Sequence, residues 1–333
     1  MRICICGGGH LGHVCCGILA SHNDVTINIL SRNPDNWNKT VKVVDVYSRI
    51  YIGNINLITS DPQKAVQDVD IVLLCLPGYA IEPTLRKLQP YLKSNQIVGS
   101  IVSSTGFFFN AHVILGEDAH LFGFQRTPFI ARIQEYGSSA RLLGYKKELK
   151  IAVENIENKE SFSKIIERLF MTPTKLLNNY YEASLTNSNP ILHTGRLYSM
   201  WKDWDGEIYD RNIYFYAEWT YEASKIIIEM DNEFMLLLDK LDINNVPSLL
   251  TYYEVADAYA LTNKISSIPA FQSILAPMQQ VEEGWIPDFT SRYFTEDFPY
   301  GLKYIWELAV RYNINMPMIE SVLAWGERVI GEK

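Results

Sequence analysis

The chain has 333 residues, 47% hydrophobic and 20% charged, with a formal net charge of −8; this describes a globular protein large enough for two domains and excludes disordered, fibrous and repeat-built chains. Lys and Arg number 30 against 38 Asp and Glu, so attraction of the whole surface to a polyanion, and nucleic acid as a partner, are set aside. The longest apolar runs, such as Ile71–Leu76, fall far short of the roughly 20 residues that cross a bilayer, and no membrane span is expected.

Arg2–Cys6 reads as a first strand, followed by Gly7-Gly8-Gly9-His10-Leu11-Gly12 and a helix over Gly12–Ser21. The hexapeptide fits G-x-G-x-x-G between strand and helix. That context asks for a tight turn at Gly7, close approach of a pyrophosphate at Gly9 and close helix-to-strand packing at Gly12, with phosphates facing the helix N–H groups. Gly7, Gly9, His10, Leu11 and Gly12 are therefore predicted to hold a dinucleotide; the plain alternative is a glycine turn with no ligand. The same glycines stop the first apolar run before a secretory core of about 7–15 residues is complete, so a cytoplasmic location is expected.

Val25–Leu30 is a second strand. It ends at Leu30-Ser31-Arg32-Asn33, where a ribose lacking a 2′-phosphate usually meets an acid. Ser31 can donate a hydrogen bond there and Arg32 can pair with a 2′-phosphate while stacking on adenine. NADP(H) is thus favoured, and NAD(H), with Asp35 or another acid reaching the ribose, stays open. Asp61 and Pro62 open a short helix to Val66. Asp70–Leu76 is a central buried strand whose end, Leu76 and Pro77, is expected to touch the cofactor through its main chain. A helix over Ala80–Tyr91 and a strand over Gln96–Ser103 follow. The turn Ser103-Ser104-Thr105-Gly106 either lines the nicotinamide side or only turns the chain. From Ala119 to Val153 the pattern loosens into strand-like pieces. Alternating strands and helices indicate a parallel sheet covered by helices. All five cysteines (Cys4, Cys6, Cys15, Cys16, Cys75) lie in this region and read as reduced thiols acting as small hydrophobes, with no metal site expected.

Around Thr172–Asn189 the chain becomes rich in Asn, Thr, Ser and Pro, and beyond it the hydrophobic period changes from two to about 3.6. This marks a dinucleotide-binding domain over 1–178 and a helical substrate domain over 179–333. Residues 1–178 hold 19 Lys and Arg against 15 Asp and Glu, and the remainder 11 against 23, so the first domain is mildly basic and the second acidic. Helices are predicted over Asn212–Leu241, Pro247–Ala260, Pro269–Met278 and Tyr300–Tyr312. An apolar face on the first of these serves either as domain core or as the contact of a homodimer.

Six histidines are present. His10 sits in the glycine turn, His13 and His22 on or after the first helix, and His112 and His120 outside any pattern. His193 stands apart within the block from Asn187 to Tyr198, where Pro190 presets the first turn of a helix and lets a side chain one turn later point toward an interdomain cleft. A capping or core role is its plain alternative. In Ser291–Leu302, Arg292 can grip a carboxylate bidentately and Asp297 can orient an imidazole and favour its cation. Otherwise Glu296 and Asp297 would cap the next helix.

Taken in order, the Gly7–Gly12 turn, the segment Phe124–Arg132, N-P-x-x-H-x-G at Asn189–Gly195 and R-Y-x-x-E-D-x-P-x-G-L at Arg292–Leu302 resemble the opine dehydrogenase family, which includes octopine and nopaline dehydrogenases. The similarity spans nearly the whole chain. It implies an α/β fold, with an N-terminal Rossmann dinucleotide-binding domain followed by a mainly helical C-terminal domain. It also implies NAD(P)H-dependent reductive condensation of an amino acid with a 2-oxo acid to an N-(carboxyalkyl)amino acid. His193 and Asp297 would be the catalytic pair and Arg292 the holder of a substrate carboxylate. Neither substrate is specified further. Ketopantoate reductases and glycerol-3-phosphate dehydrogenases share the layout but use a Lys, for which Lys202 and Lys225 are the nearest candidates; a non-catalytic NADP-binding sensor is the reading from a different class.

Overall fold

The structure, a computed structural model, describes residues 1–104, 106–186 and 188–331; Thr105 of the Ser103–Gly106 turn and Asn187 of the His193 block lie outside them. The chain forms two compact units, Met1–Thr186 and Asn187–Lys333. The division falls later than the expected 178/179 because Tyr180–Leu185 is a helix whose Ala183 joins an apolar cluster of the first unit.

In the first unit, β1 (Arg2–Cys6), α1 (His10–Leu19), β2 (Thr26–Leu30), β3 (Thr40–Val44), β4 (Ile50–Thr59), α2 (Pro62–Val66), β5 (Ile71–Leu74) and α3 (Gly78–Leu88) come first. They are followed by β6 (Ile97–Ser100), α4 (Phe107–Leu115), β7 (Leu121–Phe124), β8 (Phe129–Glu135), β9 (Ser139–Tyr145), β10 (Leu149–Glu154), α5 (Lys159–Phe170), β11 (Thr174–Leu176) and α6 (Tyr180–Leu185). The strands make one sheet in the order β11-β10-β7-β6-β5-β1-β2-β4-β3-β9-β8. Its centre is parallel, β1 pairing with both β2 and β5. Because the chain runs outward from β1 first to one side and then to the other, the carboxyl end of β1 is the switch point at which such sheets bind nucleotides.

The central strands read as continuous apolar runs because both of their faces are covered. Ile3, Ile5, Ile71 and Leu73 enter one apolar cluster and Cys4, Cys6, Val72 and Leu74 the other, as the period-two alternation of a strand requires. All five cysteines are buried free thiols. The antiparallel pairs β3–β4 and β8–β9 extend the sheet beyond β2; no elements were predicted over 34–60, where β3 and β4 lie.

The second unit contains α7 (Asn189–Trp201), α8 (Tyr221–Lys240), α9 (Leu249–Tyr253), α10 (Ala258–Ser266), the hairpin β12 (Met278–Val281) and β13 (Gly284–Pro287), α11 (Arg292–Thr295), α12 (Lys303–Arg311) and α13 (Pro317–Gly331). Three expectations need correction. The helix over Asn212–Leu241 starts only at Tyr221, where the Thr220 side chain accepts from the Ala223 N–H. Its apolar face, including Ile227, Met230 and Leu237, is buried as domain core. The helix over Pro247–Ala260 is split, because Glu254 takes a φ of +57° and Asp257 caps a new helix through the Ala260 N–H. Over Pro269–Met278 only the turn Pro269–Phe271 is helical; Pro277 disfavours helix at the residue before it, and the chain enters β12 instead. No helix among the described residues is long and apolar enough to cross a membrane.

Candidate active site

The glycine turn has the geometry its residue types ask for. Gly7 has a φ of +120° and lies so close to the end of β5 that a Cβ would sit 2.4 Å from the Cys75 carbonyl oxygen. At Gly12 a Cβ would sit 2.0 Å from the Gly7 carbonyl oxygen, so only glycine lets α1 close on β1. Gly9 differs. A Cβ there meets no atom within 4 Å, which leaves a cradle over the N-terminus of α1. The first turn of that helix has neither a side-chain cap nor an acidic residue, so its free N–H groups favour an anion. The turn therefore fits the pyrophosphate of a dinucleotide.

Neighbouring side chains fix this cradle. The Gly137 N–H donates to His13 Nε2 at 2.7 Å, which leaves Nδ1 protonated to donate to the Gly9 carbonyl at 3.0 Å. Burial lowers the His13 pKa, favouring this neutral form. The His13 ring stacks on Trp37 at 4.2 Å, and Trp37 Nε1 donates to Ser31 Oγ at 3.1 Å. One chain of contacts thus joins Gly9 to Ser31. His10 Nδ1 accepts the Ile133 N–H at 3.1 Å, and Leu11 packs against the apolar cluster. Ser31 is buried, and its oxygen also accepts from the Asn33 N–H. Arg32 is exposed, with no hydrogen bond or ion pair among the described residues. The Leu76 side chain borders Gly7, and Pro77 precedes α3 at its N-cap. Sequence reasoning missed His13 and Trp37, whose roles depend on contacts far along the chain.

In the second unit, His193 and Asp297 meet. The Nδ1 of His193 lies 2.8 Å from Asp297 Oδ2, with the side chains 13% and 19% exposed. Asp297 does not cap the helix after it. The chain turns there through the π-helical segment Phe298–Leu302, in which the Leu302 N–H donates to the Asp297 carbonyl at 2.8 Å. A Cβ at Gly301 would stand 2.7 Å from Pro190 Cγ, so Pro190 and Gly301 allow the start of α7 and this turn to approach closely. The two sequence blocks are thus packed on each other. Gly195 plays the same part against α8, a Cβ there meeting Ile227 at 2.7 Å.

A third group lies on the imidazole. The Oη of Tyr216 is 2.9 Å from His193 Nε2. Its ring is 5% exposed, stacked on Phe271 at 4.4 Å and on Trp219 at 5.9 Å. Burial pushes the phenol pKa up, so it stays protonated. The segment carrying Tyr216 is held by Arg196, one turn after His193 on α7. Its guanidinium donates to the carbonyls of Phe215 at 3.1 Å and Glu218 at 2.7 Å and lies over the Trp219 ring. Arg196 is 2% exposed, and burial pushes its pKa down to about 10, so it remains a cation at neutral pH. The Tyr293 ring lies 4.8 Å from that of His193. Arg292 opens α11; its side chain is exposed and makes no hydrogen bond or ion pair among the described residues, while its carbonyl accepts the Glu296 N–H at 3.0 Å.

The other candidates are engaged elsewhere. His112 pairs with Glu154 at 2.9 Å, and His22 bonds the Leu169 carbonyl. Lys202 and Lys225 both pair with Glu222, the first also lying over the Tyr198 ring.

Residues 176–330 match the family described as NAD/NADP octopine/nopaline dehydrogenase, alpha-helical domain, and residues 2–104 the family described as NADP oxidoreductase coenzyme F420-dependent. The chain is 26% identical to the opine dehydrogenase of Haliotis discus hannai over 100% of its own length and 91% of that protein's. It is 25% identical to the octopine dehydrogenase of Pecten maximus, again over 100% and 91%. A solved octopine dehydrogenase structure with NADH and L-arginine superposes with a TM-score of 0.87 at 23% identity, over 99% of this chain and 90% of that one. With its glycine turn and its His193 block set in the same two-part fold, the chain carries the alpha-helical domain of the octopine/nopaline dehydrogenase family over residues 176–330 and is an NAD(P)-dependent oxidoreductase acting on CH–NH bonds.

Proposed function

We propose that the protein joins an amino acid to a 2-oxo acid by NAD(P)H-dependent reductive condensation, with His193 as general acid and base, Asp297 as its partner and Arg292 as the holder of a substrate carboxylate. The observation that carries this reading is the 2.8 Å contact between His193 Nδ1 and Asp297 Oδ2. A carboxylate can only accept, so it keeps a proton on Nδ1, leaves Nε2 for proton transfer and steadies the imidazolium. When bound, NAD(P)H supplies the hydride that reduces the imine carbon. Gly7, Gly9, Gly12 and the first N–H groups of α1 would hold its pyrophosphate, with Leu76 and Pro77 beside it. Arg292 is exposed and unpaired among the described residues, so a substrate carboxylate need not break an existing ion pair to reach it.

We favour NADPH over NADH, because exposed Arg32 lies just past the end of β2, where an acid would otherwise take the ribose. Arg32→Ala should lower kcat/KM for NADPH about tenfold and leave that for NADH within twofold. The five buried free thiols support a reducing compartment, the cytoplasm.

The deciding experiment measures NADPH oxidation with pyruvate, oxaloacetate or 2-oxoglutarate, alone and with single amino acids. Oxidation that requires both partners is expected, and His193→Ala should lower it about 10²-fold while cofactor binding persists. Oxidation with the oxo acid alone would make the protein a ketone reductase; binding without oxidation across the whole grid would make it a sensor.

A further inference from the structure

We propose that Tyr216 is a proton relay, the group through which His193 exchanges its proton with the substrate oxygen, and that Arg196 is the positioning residue that holds it there. The proposal rests on the acid–base reading of His193 given above. Asp297 occupies Nδ1, so only Nε2 can act on a substrate, and Nε2 is already bonded to Tyr216 Oη at 2.9 Å. A substrate oxygen must either displace the phenol or be reached through it.

The packing favours passage through it. The Tyr216 ring is stacked on Phe271 and Trp219 and meets Phe215 edge-on at 4.9 Å. Its main chain is held from both sides, since Arg196 donates to the carbonyls of Phe215 and Glu218, and its Nη1 also reaches Thr220 Oγ1 at 3.4 Å. A buried guanidinium bonded only to neutral acceptors is costly. What these bonds secure is the position of one short segment, and that segment carries the phenol on His193. Burial keeps the phenol protonated, so it passes a proton on without storing negative charge.

The step balances. The amine has added to the 2-oxo acid to give a carbinolamine, and the nitrogen lone pair forms the C=N bond as the C–O bond breaks. The departing oxygen takes the phenol proton while the phenol oxygen takes the Nε2 proton. One proton has moved from imidazolium to water, the phenol is unchanged, and nothing is oxidised or reduced. In the opposite direction the phenol takes a proton from the attacking water and passes its own to Nε2.

Tyr216→Phe keeps the stacked ring and removes only the relay. It should lower kcat for condensation about 10²-fold, with KM for both substrates and the melting temperature nearly unchanged. The wild-type solvent-isotope proton inventory should be curved, from two protons moving together, and that of the variant linear. Arg196→Lys should lower kcat in the wild-type background but add little to Tyr216→Phe, since it acts through the phenol. If Arg196→Lys does not fold, the inventory and the Phe variant still decide. A Phe variant within threefold of wild-type kcat, or a linear wild-type inventory, overturns the relay. A lower KM with full kcat also overturns it and makes the phenol a plug that substrate displaces. An inactive His193→Ala beside an active Tyr216→Phe overturns the relay alone; an active His193→Ala, or no turnover by the wild type, overturns the acid–base reading and the relay together.

Discussion

Asp297→Asn tests the charge on which the acid–base role proposed for His193 depends. In the wild-type protein a carboxylate oxygen stands 2.8 Å from Nδ1, and the two side chains are only 13% and 19% exposed, so water screens the contact weakly. Asparagine has nearly the same shape and its amide oxygen can still accept from Nδ1, but it offers a dipole in place of an anion. A hydrogen bond between charged groups contributes about 1.5–3 kcal/mol against about 1 for a neutral one. The imidazolium that accompanies proton transfer therefore loses about 1–2 kcal/mol, and the rotated amide, donating to Nδ1, withdraws a further fraction of the molecules in the wrong tautomer. Together these correspond to a fall in kcat of about ten- to a hundredfold. The assay is steady-state NADPH oxidation at saturating oxo acid and amine, with cofactor affinity followed by fluorescence and folding by thermal melting. Loss of kcat with unchanged cofactor affinity is expected. A folded Asn variant within twofold of wild-type kcat would refute the electrostatic role of Asp297.

Two glycine variants separate space from fold. Gly9→Ala should leave the melting temperature unchanged and weaken NADPH binding about tenfold or more, because its methyl meets no protein atom but occupies the pyrophosphate approach; Gly12→Ala, facing a carbonyl oxygen at 2.0 Å, should lower both. Arg292→Lys keeps the charge but loses the bidentate fork, so KM for the 2-oxo acid should rise about tenfold or more with NADPH affinity unchanged; equal KM values would remove Arg292 from the site. Burial raises the Asp231 pKa from 3.8 to about 6, its carboxylate accepting from the Leu249 N–H at 2.7 Å. The folded state therefore holds this proton more tightly than the unfolded chain, and stability is lost as pH rises from about 4 through 6. Asp231→Asn removes that loss, so its advantage over wild type in urea unfolding should grow across that window, to at most about 3 kcal/mol above pH 6. An advantage independent of pH would refute this account.

Legibility in the sequence followed how locally each feature is determined. The central strands were readable because burial on both faces makes them unbroken apolar runs, and the glycine turn because its spacing is a steric requirement within six residues. The β3–β4 pair was not readable: Thr40–Val44 alternates over only a few residues, and exposed Ile50 and Ile52 blur the pattern of the partner strand. Helix positions in the second unit slipped where the controlling signal was a single cap or proline, as at Thr220, Asp257 and Pro277. Asp297 drew attention through its motif, yet nothing near it in sequence distinguishes a cap from an imidazole partner; Pro190 and Gly301 decide that by close packing. Arg196 falls inside the Asn187–Tyr198 block and Tyr216 inside the helix expected over Asn212–Leu241, yet neither carries a signal of its role, because that role is a contact between α7 and a segment that is irregular before Tyr221.

The choice of an imidazole over an ammonium has a chemical consequence. Reduction of a ketone asks for one proton, given to the oxygen as hydride arrives, which a lysine cation can supply in a single one-way transfer, whereas Lys202 and Lys225 here are both paired with Glu222. Condensation makes a different demand. The amine must lose a proton before it can attack, and the carbinolamine oxygen must gain one before it can leave, so a single group has to act as base and then as acid within one turnover. A side chain whose ordinary pKa lies near 6.5 can do both at neutral pH, and an ordinary lysine, near 10.4, is a poor source of the unprotonated form. His193→Lys should therefore fail at condensation even where the charge is restored. If it retained near wild-type condensation rates, the two-way proton transfer assigned to His193 would be unnecessary, and a fixed positive charge would suffice for the reaction.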